Sequence, residues 1–344
     1  MGLFNSSPKT LLGIDIGDSS IKVVELQKRG KVIHLLNYGF SEDLSQTKLT
    51  STDDLDYLAE AISRVKKEVG IVGNRASVSL PSFAVFSAVI NLASVNTKNI
   101  ADQISEEAKK VIPLPLSEMV LDWKVIPSAD AGGGTKVFLT GSPKKLIKRY
   151  ISAFQKAQIE LVSLETETFS LIRALLGNDP STVMLVDLGA NSTDVCIVKE
   201  SIPYLNRSLN VSGATINEAI GRQLNLDPAK AERLKIDLAA VKDGQTNEIP
   251  AVIFKAVDPI ITEIKYMLEL FQGSHAQKVE KIILTGGGSM LVNLASYLES
   301  NLNLQVVVGN PWFRISSPQE LQPVLANVGP KLAVAVGLAL READ

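Results

Sequence analysis

Two short segments of the chain carry residue types in the same order. Leu12-Gly13-Ile14-Asp15-Ile16-Gly17 and Met184-Leu185-Val186-Asp187-Leu188-Gly189 each run an apolar strand into an aspartate, then one apolar residue, a glycine and a small polar turn. Asp15 and Asp187 lie 172 positions apart, half of the 344-residue chain. Such a pair suits a nucleoside triphosphate. Phosphate oxygens need backbone N–H donors, and glycine lets the backbone come close. A magnesium ion keeps most of its waters and takes one or two carboxylates. Two Asp-x-Gly hairpins facing each other across a cleft supply both. One closes on the β-phosphate and the other on the γ-phosphate, with Asp15 and Asp187 holding hydrated Mg²⁺ from opposite sides.

Other residues add to this set. Lys22, seven positions after Asp15 on the return strand, can point back at the phosphates as a compact positive charge, or stand as an exposed strand lysine. Ser19 and Ser20 offer hydroxyl donors on the first hairpin, and Thr193 on the second. Thr285-Gly286-Gly287-Gly288-Ser289 follows a strand and precedes a helix. Three glycines there let a base and ribose lie on bare backbone beside a helix N-terminus. Alone, such a turn needs only the geometry; downstream of two matched hairpins it joins them.

The elements that must position these residues can be read from periodicity. Leu11–Ile16, Ser20–Leu26 and Val32–Leu36 read as a meander of three strands. Asp53–Val69 has helical spacing, with Ser51 or Thr52 as cap. Strands at 76–80 and 84–92, a helix at 99–111, a strand at 119–126, a loop at 131–134, a return strand at 137–140 and a helix opened by Pro143 follow. Most of these make a small α+β unit over about 82–160. The second half repeats the meander at 183–187, 193–198 and 202–209. Helices at 213–224, 227–240 and 250–272 come next, then a strand at 281–284, a helix at 291–301, a strand at 305–308 and an apolar helix at 329–341.

Composition excludes several classes. The net charge of −2 is spread evenly, without the basic face that nucleic acid requires. Lys144, Lys145, Lys148 and Arg149 read as the solvated face of a helix. The single cysteine, Cys196, forms no internal disulfide and fits a reducing compartment. His34 and His275 lack ligand-spaced companions for zinc. The N-terminus has no signal-peptide pattern; a myristoylation match at Gly2 and Ser6 is of the kind that arises by chance. The longest apolar run, Leu332–Leu340, is short of the roughly 18 residues needed to span a bilayer. A soluble protein, brought to a membrane by a partner, is expected.

These motifs resemble those of the actin/Hsp70/sugar-kinase superfamily. Asp15-Ile16-Gly17 with Lys22 is similar to its first phosphate motif, and Asp187 to Thr193 to its second. Leu284 to Gly288 is similar to the adenosine motif, and Val328 to Gly337 to the second connecting helix. The resemblance implies a duplicated α/β, ribonuclease H-like two-lobe fold that binds ATP and Mg²⁺. Gly189, Ala190 and Asn191 would serve the phosphates, and Glu167 would orient the attacking water, with Glu165 as its competitor. Gly213 and Thr215 resemble the second-lobe loop that approaches the phosphates. Glu232 and Lys235 resemble the pair that flanks ribose and adenine, though a surface ion pair has the same spacing. The turn reads Gly189-Ala190-Asn191 rather than the Gly-Gly of fast hydrolases, which implies at most slow ATPase activity.

Within the superfamily, the opening Leu12–Leu26, the Ile-Pro-Leu-Pro turn ending at Pro115 and the C-terminal Val336–Arg341 are similar to the PilM family of bacterial type IV pilus assembly, itself related to FtsA. The resemblance implies a first lobe of 1–81, 161–180 and 325–344, an inserted SHS2-type subdomain at 82–160 and a second lobe at 181–324. It further implies a cytoplasmic scaffold for twitching motility, held at the inner membrane by the N-terminal tail of a PilN-like protein. Contacts with other pilus components and self-association are also implied. An FtsA-like filament protein would carry an amphipathic membrane helix after a linker, and the expectation here is that none follows Arg341. A small-molecule kinase would need a substrate base in the first lobe, and no convincing aspartate presents itself.

Overall fold

The near-continuous apolar run from Leu11 to Ile16 is buried on both faces, as in a central strand. A computed structural model describes residues 10–17, 20–41, 54–92, 100–126, 135–239, 251–274, 277–291 and 293–343. Thr10–Ile16 (β1), Ile21–Arg29 (β2) and Val32–Ser41 (β3) form the expected antiparallel meander. Leu55–Val69 (α1) returns the chain to Arg75–Leu80 (β4), parallel to β1. The cap of α1 is Asp54, whose carboxylate accepts from the Tyr57 N–H at 2.9 Å; Ser51 and Thr52 lie outside the described residues.

Phe86–Leu92 (β5), Ile100–Val111 (α2), Met119–Ile126 (β6) and Thr135–Pro143 (β7) follow. Their strands make a separate antiparallel sheet in the order β5-β7-β6. α2 covers one face through Ile104 and Ala108, against Val137 and Leu139. The loop expected at 131–134 lies outside the described residues. Lys144–Lys156 (α3) starts directly after Pro143. The sequence reading groups α3 with the unit at 82–160, but its buried Tyr150, Ala153 and Phe154 pack with Ile14 and Val78 of the first sheet and Leu58 of α1. Glu160–Thr166 (β8), a strand the periodicity did not reveal, pairs parallel with β4. Glu167–Leu175 (α4) leads out of this lobe.

The second half reads Val183–Leu188 (β9), Thr193–Lys199 (β10), Ile202–Leu209 (β11), Gly213–Leu224 (α5), Pro228–Ala239 (α6) and Ala251–Ser274 (α7). Lys281–Thr285 (β12), Leu294–Leu302 (α8), Gln305–Val308 (β13) and Gln322–Leu340 (α9) complete it. The two large sheets run β3-β2-β1-β4-β8 and β11-β10-β9-β12-β13. In both, the first three strands are antiparallel and the last two join parallel to the first. The duplication seen in the sequence is therefore a duplication of topology.

α9 begins seven residues before the expected Gly329 and carries Pro330 inside it. Its residues Leu325, Leu332, Ala335, Val336, Ala339 and Leu340 cover Leu11, Val24 and Leu26. α4 crosses it at Gly337, where a Cβ would stand 1.9 Å from the Ser170 carbonyl oxygen, so only glycine permits the contact. The segment Gln319–Leu340 holds an 18-residue window of mean hydropathy 1.5, long and apolar enough by length and composition alone to cross a membrane. Yet 67% of that window is buried inside the protein, as in the core helix of a lobe.

Candidate functional site

The two Asp-x-Gly turns close in the same way. The Gly17 N–H donates to the Ser20 carbonyl at 3.0 Å, and the Gly189 N–H to the Ser192 carbonyl at 2.9 Å. Across β1–β2, Asp15 stands opposite Lys22. Across β9–β10, Asp187 stands opposite Asp194. Lys22 Nζ donates to Asp15 Oδ2 at 2.8 Å, and Ser79 Oγ on β4 donates to Asp15 Oδ1 at 2.7 Å. The Lys22 ammonium is disfavoured by burial, but Asp15 beside it, with Asp187 and Glu167 beyond, holds its pKa above the ordinary value. Lys22 is thus no exposed strand lysine.

The carboxylates around it are short of positive charge. Burial, then the Asp194 and Asp15 charges, push Asp187 up to about 7, with Lys22 opposing. Burial, then Asp194 and Asp15, raise Glu167 well above the carboxylate range. Burial also raises Asp194, and its buried Oδ1 has no hydrogen-bond partner. Among the described residues, Asp15, Asp187 and Glu167 act on the one Lys22 ammonium and Asp194 acts on Asp187 and Glu167 in turn, an arrangement that an added cation would relieve. Among the described residues no three acidic, His or Cys side chains form a direct metal cage. An ion here would keep much of its water, as Mg²⁺ does.

Glu165 and Glu167 differ in their partners. Glu165 accepts from Arg173 at 2.6 and 3.0 Å, from Ser170 at 2.7 Å, and from Arg341. Burial disfavours its charge, but the arginines and Ser170 hold its pKa below the usual value. It ties α4 to the end of α9. Glu167 instead accepts from the Ser82 N–H at 3.0 Å and Ser82 Oγ at 2.6 Å, and it feels the other cleft carboxylates.

The glycine run sits against the second hairpin. Gly286 has φ +78°, and a Cβ there would meet Asp187 Oδ1 at 2.3 Å. Its N–H donates to the Pro330 carbonyl at 3.0 Å, which also accepts from Thr285 Oγ1 at 2.9 Å. Gly287 faces open space, whereas a Cβ at Gly288 would meet Leu188. Residues 287–290 form a 3-10 turn and α8 starts only at Leu294, so the expected helix N-terminus does not follow the glycines directly. The second-lobe loop is zipped to the hairpin, Gly213 N–H to the Gly189 carbonyl at 3.0 Å and Ala214 N–H to the Ala190 carbonyl at 2.9 Å. Lys235 Nζ reaches the Gly213 carbonyl at 3.2 Å, and burial lowers its pKa. Glu232 is exposed one turn away and favours the Lys235 charge.

Not every expected donor faces the cleft. The Thr193 hydroxyl is buried on the Val211 carbonyl at 2.6 Å. The Thr215 hydroxyl caps α5, accepting from the Ser212 N–H at 2.7 Å and donating to its carbonyl at 2.8 Å. Ser20 is buried beside the first turn, Ala190 and Asn191 are exposed at the second, and Ser19 lies outside the described residues. Three residues escaped the sequence reading: Ser79, Ser82 and Asp194. Asp194 had a signal, since it lies 172 positions after Lys22, at the repeat offset. Ser79 alternates with Ser77 among the apolar Ala76, Val78 and Leu80. A cleft of about 210 Å³ opens beside them between β5 and β11, lined by Ser82, Ser87, Asp194, Asn206 and Arg207 among others.

A sequence profile of the family described as type IV pilus assembly protein PilM matches residues 13–343. The chain is similar, at 22% identity over 344 aligned positions, to the cell division protein FtsA of Streptococcus pneumoniae serotype 2 (strain D39 / NCTC 7466); the match covers 86% of this chain and 74% of that protein. Among solved structures it is similar to a PilM–PilN type IV pilus biogenesis complex, with TM-score 0.82 and 26% identity over 97% of this chain and 98% of that one. It is also similar to MreB 5 of Spiroplasma citri bound to AMPPNP, with TM-score 0.59 and 11% identity over 97% and 96% of the two chains. At that identity the likeness speaks for the fold alone.

Proposed function

Because the chain belongs to the type IV pilus assembly protein PilM family, with an actin-like fold, we propose that it is an ATP-binding scaffold whose closed state presents a surface to a PilN-like membrane protein. The observation that carries this reading is the pair of hairpins matched in register and turn, one bearing Asp15 and Lys22 and the other Asp187 and Asp194. In this reading the Gly17 and Ser20 backbone and the Lys22 ammonium hold one end of the phosphate chain. Gly189, Ala190, Asn191 and Gly213 hold the other. Asp15 and Asp187 are the carboxylates for a hydrated Mg²⁺, which would neutralise phosphate charge. Gly286, Gly287 and Gly288 receive the adenosine, with Glu232 and Lys235 at its ribose edge. Glu167, whose pKa burial and then the neighbouring acids raise, is the group to orient a water and take its proton.

Binding, more than turnover, is the working event in this proposal. Ala190 stiffens the turn on which a fast hydrolase would depend. Nucleotide draws the lobes together, and the sheet of β5, β7 and β6 forms the bulk of an inserted subdomain offered to partners. The resemblance to a PilM–PilN complex supports the N-terminal tail of a PilN-like protein as the partner. That contact would hold the chain at the cytoplasmic face of the inner membrane. The test is a paired measurement. Mg-ATP should raise the melting temperature, and a PilN-like N-terminal peptide should bind. No shift with Mg-ATP sinks the nucleotide reading; a shift without peptide binding sinks the pilus reading.

A further inference from the structure

β6 is the outer strand of its sheet, and among the described residues it pairs only with β7. A free edge is a template for another strand unless it is blunted. This edge is eight residues long and contains no proline. It exposes Val120, Trp123 and Val125, at 44%, 38% and 43%. The Trp123 N–H donates to its neighbour's Asp122 Oδ1 at 2.9 Å. By antiparallel alternation, Leu121, Trp123 and Val125 then direct their backbone groups to the open side.

We infer that β6 pairs with β6 of a second copy of this chain, antiparallel, about a two-fold axis through Trp123. An isologous contact sets each residue against its mirror partner. With the axis at Trp123, Asp122 faces Lys124 of the other copy twice over. Leu121 faces Val125, Val120 faces Ile126, and the two Trp123 residues face each other. Moving the axis to Leu121 sets Asp122 against Val120, and moving it to Val125 sets Lys124 against Ile126. Only the Trp123 register is complementary in charge and apolar character together. On pairing, the Trp123 N–H passes to the partner strand, and the Asp122 carboxylate is released to meet Lys124. An eight-residue edge buries less than the roughly 1,200 Å² of a standard interface, so the dimer is weak and forms where copies are concentrated. The inference stands apart from the nucleotide reading.

Disulfide trapping tests it in the full chain, whose only native cysteine is buried. Paired Trp123 Cα atoms would be about 5.5 Å apart, within disulfide reach. Trp123→Cys should crosslink to itself about tenfold faster than Val120→Cys, a difference of about one decade in effective pairing. Added to Trp123→Cys, either Asp122→Lys or Lys124→Asp should slow crosslinking, and the two together should restore it. Circular dichroism would show that each variant is folded. Equal rates at positions 120 and 123, or no rescue by the double reversal, overturns the proposal. Protection of the Trp123→Cys thiol from alkylation by a PilN-like peptide, with no disulfide in its absence, would assign the edge to that peptide and also overturn it.

Discussion

Asp187 and Asp194 face each other across the β9–β10 hairpin at the position where β1–β2 sets Asp15 against Lys22. Among the described residues, the Asp15–Lys22 pair is thus locally neutralised and the Asp187–Asp194 pair sets two acids together. The cleft is electrostatically lopsided although its scaffold is duplicated.

That imbalance predicts a pH slope. Asp187 is raised to about 7 in the folded state, well above its ordinary 3.8, so between these values the native state binds more protons than the unfolded one. Ligand-free stability should be highest below about pH 4 for this group and be lost as pH rises to about 7, by on the order of 2–4 kcal/mol. Thermal melts at pH 5 and 7.5 would show it. Mg-ATP should flatten the slope, and Asp194→Asn should shrink it without nucleotide.

Lys22→Ala should leave three or four acids uncompensated and weaken ATP binding by about ten- to a hundredfold, or roughly 1.4–2.8 kcal/mol. Isothermal titration would read it. Lys22→Arg should recover part of the loss because it keeps the charge but not the compact head.

Glu165 and Glu167 should part company on mutation. Glu165→Gln breaks a buried network with Arg173 and Arg341 and should cost about 2–4 kcal/mol of stability, with the Mg-ATP shift retained. Glu167→Gln removes a repelling acid and should leave the ligand-free melting temperature unchanged or higher, while any slow hydrolysis falls by about a hundredfold.

Gly286→Ala should act on binding as well as folding. Its methyl would meet Asp187 Oδ1 and the Leu188 carbonyl, and φ +78° is strained for alanine by about 1–2 kcal/mol. ATP affinity should fall at least about tenfold. An unchanged dissociation constant with a lowered melting temperature would make the residue purely structural.

Much of this architecture was legible in advance. Both meanders follow from alternation, and the Asp-x-Gly repeat announced the matched sheets before any topology was known. β8 was missed because Glu160, Ser163 and Glu165 break its apolar run; its support comes from β4, a neighbour distant in sequence. The apolar stripe of α3 does not say which sheet it covers, and its packing on the first sheet shows only in the contacts of Tyr150, Ala153 and Phe154. Thr193 and Thr215 looked like ligand donors by type, and only the backbone around them shows that Val211 and Ser212 use their hydroxyls. Ser82 lies far from Glu167 in sequence, and its two bonds depend on the β4–β5 turn. Asp194 is hidden for a different reason: the repeat marks its place, but the second copy carries an acid where the first has a base.

The burial of Leu11, Val24 and Leu26 under α9 also sets a schedule for synthesis. The residues that cover them, Leu325 to Leu340, leave the ribosome about 300 residues later. At 5–20 residues per second that is a delay of roughly 15–60 s. Through that interval the first sheet must wait with one apolar face open, so the nascent chain is a client for holding chaperones well before its final helix closes the lobe.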